Sequence, residues 1–93
     1  EPLQVTPRDD HSWYIDGRYS IDDFKERFDI DKLPDEDHDH YQTMGGFLTS
    51  YFGYIPKAGE TATWEDFTFE VVDMDRARIN KILVTQAPTP AES

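Results

Sequence analysis

The stretch TMGGFLTSYFGYIP, residues 43–56, carries the most complete helix pattern in the chain. Its apolar residues recur at the spacing that places them along one face of an α-helix; they are Met44, Phe47, Leu48, Tyr51 and Phe52. Thr43 is a suitable N-cap, Gly53 suits the left-handed residue that ends a helix, and Pro56 prevents continuation. The pattern predicts an amphipathic helix whose apolar face packs against a second layer.

Two glycines open this helix, although a glycine inside a helix costs about 1 kcal/mol relative to alanine. Gly45 and Gly46 therefore predict a close approach of another part of the chain to the first turn. Free amides at a helix N-terminus can also hold a phosphate. The only basic cluster that could assist is on the last hairpin, with Arg76 and Arg78, and pairing with surface carboxylates is the favoured explanation for these residues.

Composition limits the classes of function. The 93 residues include 20 acidic and 9 basic side chains, for a net charge of −11, which argues against nucleic acid as a partner. There is no cysteine, so disulfides and thiolate chemistry are excluded. The polar, proline-containing ends predict a flexible leader over residues 1–11 and a flexible tail over residues 86–93. One folded domain is expected over residues 12–85.

The remaining segments predict a second helix and a small sheet. Ser20 is a capping residue ahead of Ile21, Phe24 and Phe28, which form an apolar stripe. Strands are predicted over residues 12–15, 61–64, 67–73 and 78–85, with tight turns at residues 65–66 and 73–76 and a bulge at Val71-Val72. The expected fold class is α+β: two helices packed on an antiparallel sheet of about four strands, as a two-layer sandwich.

The segment between the two helices, residues 29–42, holds six acidic residues and two histidines. Its alternating acids resemble the start of a calcium-binding loop, but the glycine and the bidentate glutamate that such a loop requires are missing. The candidate metal ligands are Asp35, Asp37, Asp39, His38 and His40. Loose attraction of cations and a solvated connector are the alternatives, and specific metal binding is the weaker hypothesis.

Three aromatic side chains exceed what one small core needs, and aromatic residues are favoured at interface centres. Tyr14, Tyr54 and Trp64 are therefore candidate interface residues, and two free sheet edges are further candidates for pairing. Completion of the core is the alternative role for these rings. No combination of nucleophile, base and orienting acid stands out, since Ser12 and His11 lie at the boundary between the expected leader and the domain. We therefore expect no enzymatic activity.

The order of these motifs resembles the CorC/HlyC-type transporter-associated domain. The matching elements are Ile15-Asp16-Gly17, residues 41–46, Gly53-Tyr54-Ile55-Pro56 with Gly59, Phe69-Glu70-Val71 and Arg78-Ile79. Gln42 and Asp66 depart from the family's usual acid and glycine, which leaves the role of those two positions undetermined.

The resemblance implies a non-catalytic accessory domain of a hemolysin-like magnesium and cobalt efflux protein. It implies a place at the cytoplasmic face of the inner membrane, in one polypeptide with a pair of CBS domains and a transmembrane region. It also implies a fold shared with part of the FAD-binding domain of flavin oxidoreductases. The alternative function is a ligand-sensing module, which would bind a divalent cation through the acidic segment or an adenine-containing cofactor such as FAD. The candidate residues for the cofactor are Gly45, Gly46, Arg76 and Arg78. A homodimer is a further alternative.

Overall fold

The computed structural model describes residues 5–88, and one layer of the fold is a five-stranded antiparallel sheet in the order β1-β2-β5-β4-β3. The strands are β1 Val5–Asp9, β2 Ser12–Asp16, β3 Thr61–Trp64, β4 Phe67–Asp75 and β5 Arg78–Gln86. The helices, which all lie between β2 and β3, are α1 Ile21–Phe28, α2 Glu36–Asp39 and α3 Met44–Phe52. The predicted α+β sandwich is confirmed.

The leader contributes a strand that the sequence reading did not predict. Val5 pairs with Ile15 and Thr6 with Tyr14, so β1 is an edge of the sheet. The expectation that the leader lies outside the fold is therefore wrong for Val5–Asp9, and the sheet has five strands rather than about four. The strand accommodates Pro7 because an edge strand has one side without ladder hydrogen bonds. Residues 1–4 and 89–93, which include most of the predicted tail, lie outside the described residues.

Ser12 is fixed by this extra strand. Its buried hydroxyl donates to Asp9 Oδ1 at 2.9 Å and accepts from Arg8 Nε at 3.0 Å. The residue belongs to β2 and is 1% exposed, so it is part of the sheet rather than of a flexible leader.

The predicted helix ends are confirmed. The Ser20 hydroxyl accepts from the amides of Asp22 and Asp23, at 3.0 and 3.4 Å. The Thr43 hydroxyl accepts from the Gly46 amide at 3.1 Å, and Gly53 takes the left-handed conformation with φ +80°. The capping residues of α1 and α3 can thus be recognised in the sequence, because they act through local hydrogen bonds.

The core lies between α1, α3 and one face of the sheet. Its largest fully buried side chains are Phe24 from α1, Phe47 from α3 and Phe69 from β4. The Phe47 and Phe69 rings meet edge to face with centroids 5.4 Å apart, a favourable aromatic geometry. The apolar stripe of α3 is buried over the first part of the helix and partly exposed near its C-terminal end, where Tyr51 is 38% exposed.

The β4–β5 hairpin is irregular, as predicted. The register shifts between Val71 and Asp73 and again between Asp73 and Met74. This bulge explains why the apolar residues of β5 do not alternate regularly. The predicted turn at residues 73–76 is displaced, because β4 continues to Asp75 and the reversal falls at Arg76 and Ala77.

Candidate functional site

Backbone of the segment that follows β2, and of β5, packs against the first turn of α3. The Gly45 amide donates to the Gly17 carbonyl at 2.8 Å, and the Met44 amide donates to the Tyr19 carbonyl at 2.8 Å. A Cβ on Gly45 would lie 3.0 Å from the Gly17 oxygen and 3.4 Å from the Ile79 oxygen. The close approach predicted at this turn is confirmed, and packing of backbone against backbone accounts for the glycine at position 45.

These contacts bear on the cofactor hypothesis. The amides of Gly45 and Gly46 both donate within the protein, to the Gly17 carbonyl and to the Thr43 hydroxyl. An anion at this helix end would have to displace those hydrogen bonds, since a helix terminus binds anions through amides that lack an internal partner. The amides of Gly45 and Gly46 are therefore already paired within the protein.

The other cofactor candidates lie near the same turn. A groove of about 580 Å³ is lined by residues that include Gly45, Gly46 and Arg78. Arg76 occupies the tip of the β4–β5 hairpin with φ +59°. Arg18, which the sequence reading did not single out, also borders the groove, and its Nε lies 3.1 Å from Asp16 Oδ1. That hydrogen bond lowers the pKa of Asp16.

The acidic segment is held against α1 by an ion pair. Lys25 Nζ lies 2.5 Å from Glu36 Oε2, and Glu36 Oε1 accepts from the Leu33 amide at 3.0 Å. These contacts lower the pKa of Glu36, with the hydrogen bond from Lys25 as the largest cause. Both side chains are less than one fifth exposed, so the pair is screened less than a surface pair. No local sequence pattern predicts this contact, because eleven positions separate its partners.

The candidate metal ligands lie on and around the short helix α2. Asp37 pairs with Lys32, with Nζ and Oδ2 2.6 Å apart. Asp39 accepts from Ser50 and lies 3.0 Å from His38 Nδ1, a contact that raises the pKa of His38. Asp35 and His40 both have φ +55°. Within residues 5–88, no group of three or more His, Cys, Asp or Glu side chains is arranged to hold a metal. Metal binding by these residues stays a prediction.

The candidate interface residues lie on separate surfaces. Tyr14 is on the sheet face away from the helices, where Lys81 Nζ lies 5.7 Å from its ring centroid. Tyr54, 53% exposed, donates its hydroxyl to Glu60. Trp64 is half-buried, and its ring stacks on Phe67 with centroids 6.1 Å apart. Each ring is thus partly anchored within the domain and partly accessible.

Trp64 borders a groove that no local sequence pattern predicts. The groove has a volume of about 410 Å³ between the end of α1 and the turn joining β3 to β4. Its lining residues are Phe28, Asp29, Ile30, Asp31, Lys32, Trp64, Glu65, Asp66, Phe67 and Gln86. We name it the Trp64 groove. It combines aromatic side chains with four carboxylates.

The two sheet edges are poorly suited to pairing with another strand. β1 carries Pro7, which has no amide hydrogen, and its register shifts between Pro7 and Asp9. β3 has four residues, and the Tyr51 hydroxyl already donates to the Thr63 carbonyl at 2.7 Å. Such features protect edges against unwanted pairing. A contact surface on this domain is therefore better sought among side chains than along the sheet edges.

The sequence over residues 6–88 matches the profile of the CorC_HlyC family, described as a transporter associated domain. The chain belongs to this family. A protein from Synechocystis sp. is 46% identical over 91% of this chain and 19% of its own length. The polyamine export protein of Escherichia coli is 40% identical over 95% of this chain and 19% of its own length. The magnesium and cobalt efflux protein CorC of Pasteurella multocida is 33% identical over 81% of this chain and 24% of its own length.

The CorC_HlyC domain therefore spans about a fifth of the length of these relatives. Among its described residues, no helix is long and apolar enough to cross a bilayer. Solved structures share the fold. A CorC_HlyC domain of a Xylella fastidiosa hemolysin, in complex with Mg²⁺ and Mn²⁺, has a TM-score of 0.74 at 34% identity and covers 90% of this chain and 98% of its own. The domain from a CBS domain protein of Porphyromonas gingivalis has a TM-score of 0.69 at 28% identity and covers 95% of this chain and 100% of its own.

Proposed function

We propose that this domain is a non-catalytic accessory module of a membrane exporter of cations. It modulates export through contacts with the CBS and membrane-spanning regions of the same polypeptide, at the cytoplasmic face of the inner membrane. The observation that carries the proposal is the family match over residues 6–88. The relatives' names support a cationic cargo, since they specify polyamine export and magnesium and cobalt efflux.

The electrostatics of the domain agree with cationic cargo. Its net charge is −11, and a field of that sign raises the local concentration of cations near the surface. The part-buried ion pair between Lys25 and Glu36 anchors the acidic segment to α1. The acidic segment is thus held in place on the surface, where a neighbouring region of the exporter can contact it.

Removal of the domain from the full-length exporter tests this function. Cells that express the protein without residues 5–88 should export their cargo at a clearly altered rate, while the truncated protein stays at its normal level in the membrane. Magnesium, cobalt and spermidine retained by the cells are the quantities to measure. Unchanged retention of all three cations, with equal protein levels, would refute the proposal.

A second function, sensing of a divalent cation, is favoured by one observation. The Xylella fastidiosa domain with this fold was solved in complex with Mg²⁺ and Mn²⁺. In this chain the hard oxygen ligands that such ions prefer are concentrated around α2. Isothermal titration of the domain with Mg²⁺, Mn²⁺, Ca²⁺, Co²⁺ and Zn²⁺ tests it, with an Asp37→Asn, Asp39→Asn variant as control. Binding that is no tighter than the millimolar range, or that is equal in the variant, would reject a specific site.

A further inference from the structure

The floor of the Trp64 groove is aromatic and partly open. Phe67 is 4% exposed, while Phe28, Ile30 and Trp64 pack against the core only in part. The planes of the Trp64 and Phe67 rings are within 8° of parallel, with centroids 6.1 Å apart, so the indole lies beside a ring of the core. The rest of the indole forms an accessible aromatic surface whose position is fixed by the core.

The rim of the groove carries net negative charge. Four exposed carboxylates surround the floor: Asp29, Asp31, Glu65 and Asp66. Within residues 5–88, none of the four forms an ion pair with a basic side chain. Lys32 is the one basic residue that lines the groove, and its ammonium group is bound to Asp37 at 2.6 Å. The rim therefore has four carboxylates and one ammonium group, and the pairing of that ammonium group with Asp37 leaves the rim with net negative charge.

An aromatic face beside carboxylates is chemically complementary to a cation on an aliphatic stem. An ammonium or guanidinium group can form a cation–π contact with the ring and charge-assisted hydrogen bonds with the carboxylates. The stem of a lysine or arginine, and the apolar residues next to it, can cover the floor. Carboxylates are spread over much of this domain, so the aromatic floor is what distinguishes the groove from the rest of the acidic surface.

We propose that the Trp64 groove docks a lysine- or arginine-bearing segment of the exporter polypeptide outside these 93 residues. This inference rests on the proposed function, because it names the chemistry of the partner through which the accessory domain acts. Charge complementarity selects a basic segment, and the apolar floor favours a peptide over a free inorganic cation. The domain spans about a fifth of its relatives' length, which leaves room for such a segment.

The isolated domain is suitable for a first test, since homologous chains solved over 98–100% of their own length consist of this fold. A Trp13→Phe background makes Trp64 the only indole among the two tryptophans of the chain. The probe is a capped hexapeptide with three lysines and apolar spacers. The comparison ligands are spermidine, which carries the same charge, and the peptide with its lysines replaced by glutamine.

Two variants of equal net charge distinguish binding of the peptide at the groove from its unspecific electrostatic attraction to the acidic domain. The groove variant replaces the four rim carboxylates by amides: Asp29→Asn, Asp31→Asn, Glu65→Gln and Asp66→Asn. The control variant removes four exposed carboxylates elsewhere: Asp10→Asn, Asp23→Asn, Glu26→Gln and Asp75→Asn. Both variants change the net charge by the same amount. Circular dichroism establishes that each is folded.

We expect the lysine peptide to change the Trp64 fluorescence and to bind the groove variant about tenfold more weakly, the combined effect of four exposed charge contacts. The control variant should bind within about threefold of the parent. Equal weakening of both variants would overturn the proposal in favour of unspecific attraction. Spermidine or the glutamine peptide binding as tightly as the lysine peptide would also overturn it, as would no binding at all.

The failure of this inference can be told apart from failure of the proposed function. If export depends on residues 5–88 but the groove variant and the control variant bind the peptide equally, only the docking site is wrong. If export does not depend on residues 5–88, the accessory function fails whatever the titration shows.

Discussion

Replacement of Gly17 by alanine is the sharpest test of how the helical layer is joined to the sheet. An ideal Cβ at this position would lie 1.9 Å from the Ile79 carbonyl oxygen and 2.8 Å from its carbon. Side-chain Cβ atoms essentially never come within 3.0 Å of another heavy atom, so the β5 backbone would have to retreat by about 1 Å. Flexible side chains cannot absorb this clash because the obstructing atoms are backbone.

The cost follows from the hydrogen bonds at this junction. The Gly17 amide donates to the Asn80 carbonyl at 2.9 Å, and the Gly17 carbonyl accepts from the Gly45 amide at 2.8 Å. Loss of both costs about 2 kcal/mol, and displacement of the buried Ile79 costs about 1–3 kcal/mol. Alanine also lowers the conformational entropy of the unfolded chain, which stabilises the folded state by about 0.5–1 kcal/mol. We therefore expect Gly17→Ala to lower the free energy of unfolding by about 2–4 kcal/mol.

Urea denaturation followed by circular dichroism measures this change, and Gly46→Ala is the matched control. A Cβ on Gly46 would meet only the side chains of Thr43 and Tyr41, each at 3.3 Å, while alanine improves helix propensity by about 1 kcal/mol. The control should therefore be between neutral and about 1 kcal/mol more stable. A Gly17→Ala protein as stable as the parent, or more stable than Gly46→Ala, would refute this packing.

Three further results are expected. Glu36→Gln should lower the free energy of unfolding at neutral pH, and urea melts should show a smaller loss as the pH falls below 4.5. The hydrogen bond from Lys25 holds the pKa of Glu36 below its ordinary value of 4.5. The carboxylate therefore stabilises the parent protein above pH 4.5, and this stabilisation is lost as the pH falls through the lowered pKa. Trp64→Ala should leave the domain folded and cost about 1–2 kcal/mol, against about 3–5 kcal/mol for the fully buried Phe69→Ala in the same assay; equal losses would place Trp64 in the core. Thr43→Ala should cost about 1 kcal/mol through loss of its cap, and no change in the thermal melt would contradict the hydrogen bond to the α3 amide.

Local signals made part of this fold predictable. The capping residues Ser20 and Thr43 and the left-handed Gly53 act on helix ends a few positions away, so the sequence contains all that is needed to place α1 and α3. The same holds for the bulge after Val71, which interrupts the alternation of apolar residues within one strand. Each of these features depends on neighbours in the chain.

The missed features depend on distant partners. Val5–Asp9 is polar and contains a proline, and it becomes a strand because β2 offers it an edge. The Lys25–Glu36 pair and the Trp64 groove bring together residues that are far apart in the sequence, so no local sequence pattern predicts them. Tyr14, Tyr54 and Trp64 each contact their own domain in the structure. Their role at an interface stays a prediction.

Contact through the Trp64 groove is the central claim about how this domain acts, and export by the full-length protein tests it most directly. The measurement compares cation retention in cells that express the groove variant, the control variant or the parent protein at equal levels. We predict altered retention with the groove variant and retention equal to the parent with the control variant. Identical retention with all three proteins, or an equal change with both variants, would contradict the claim.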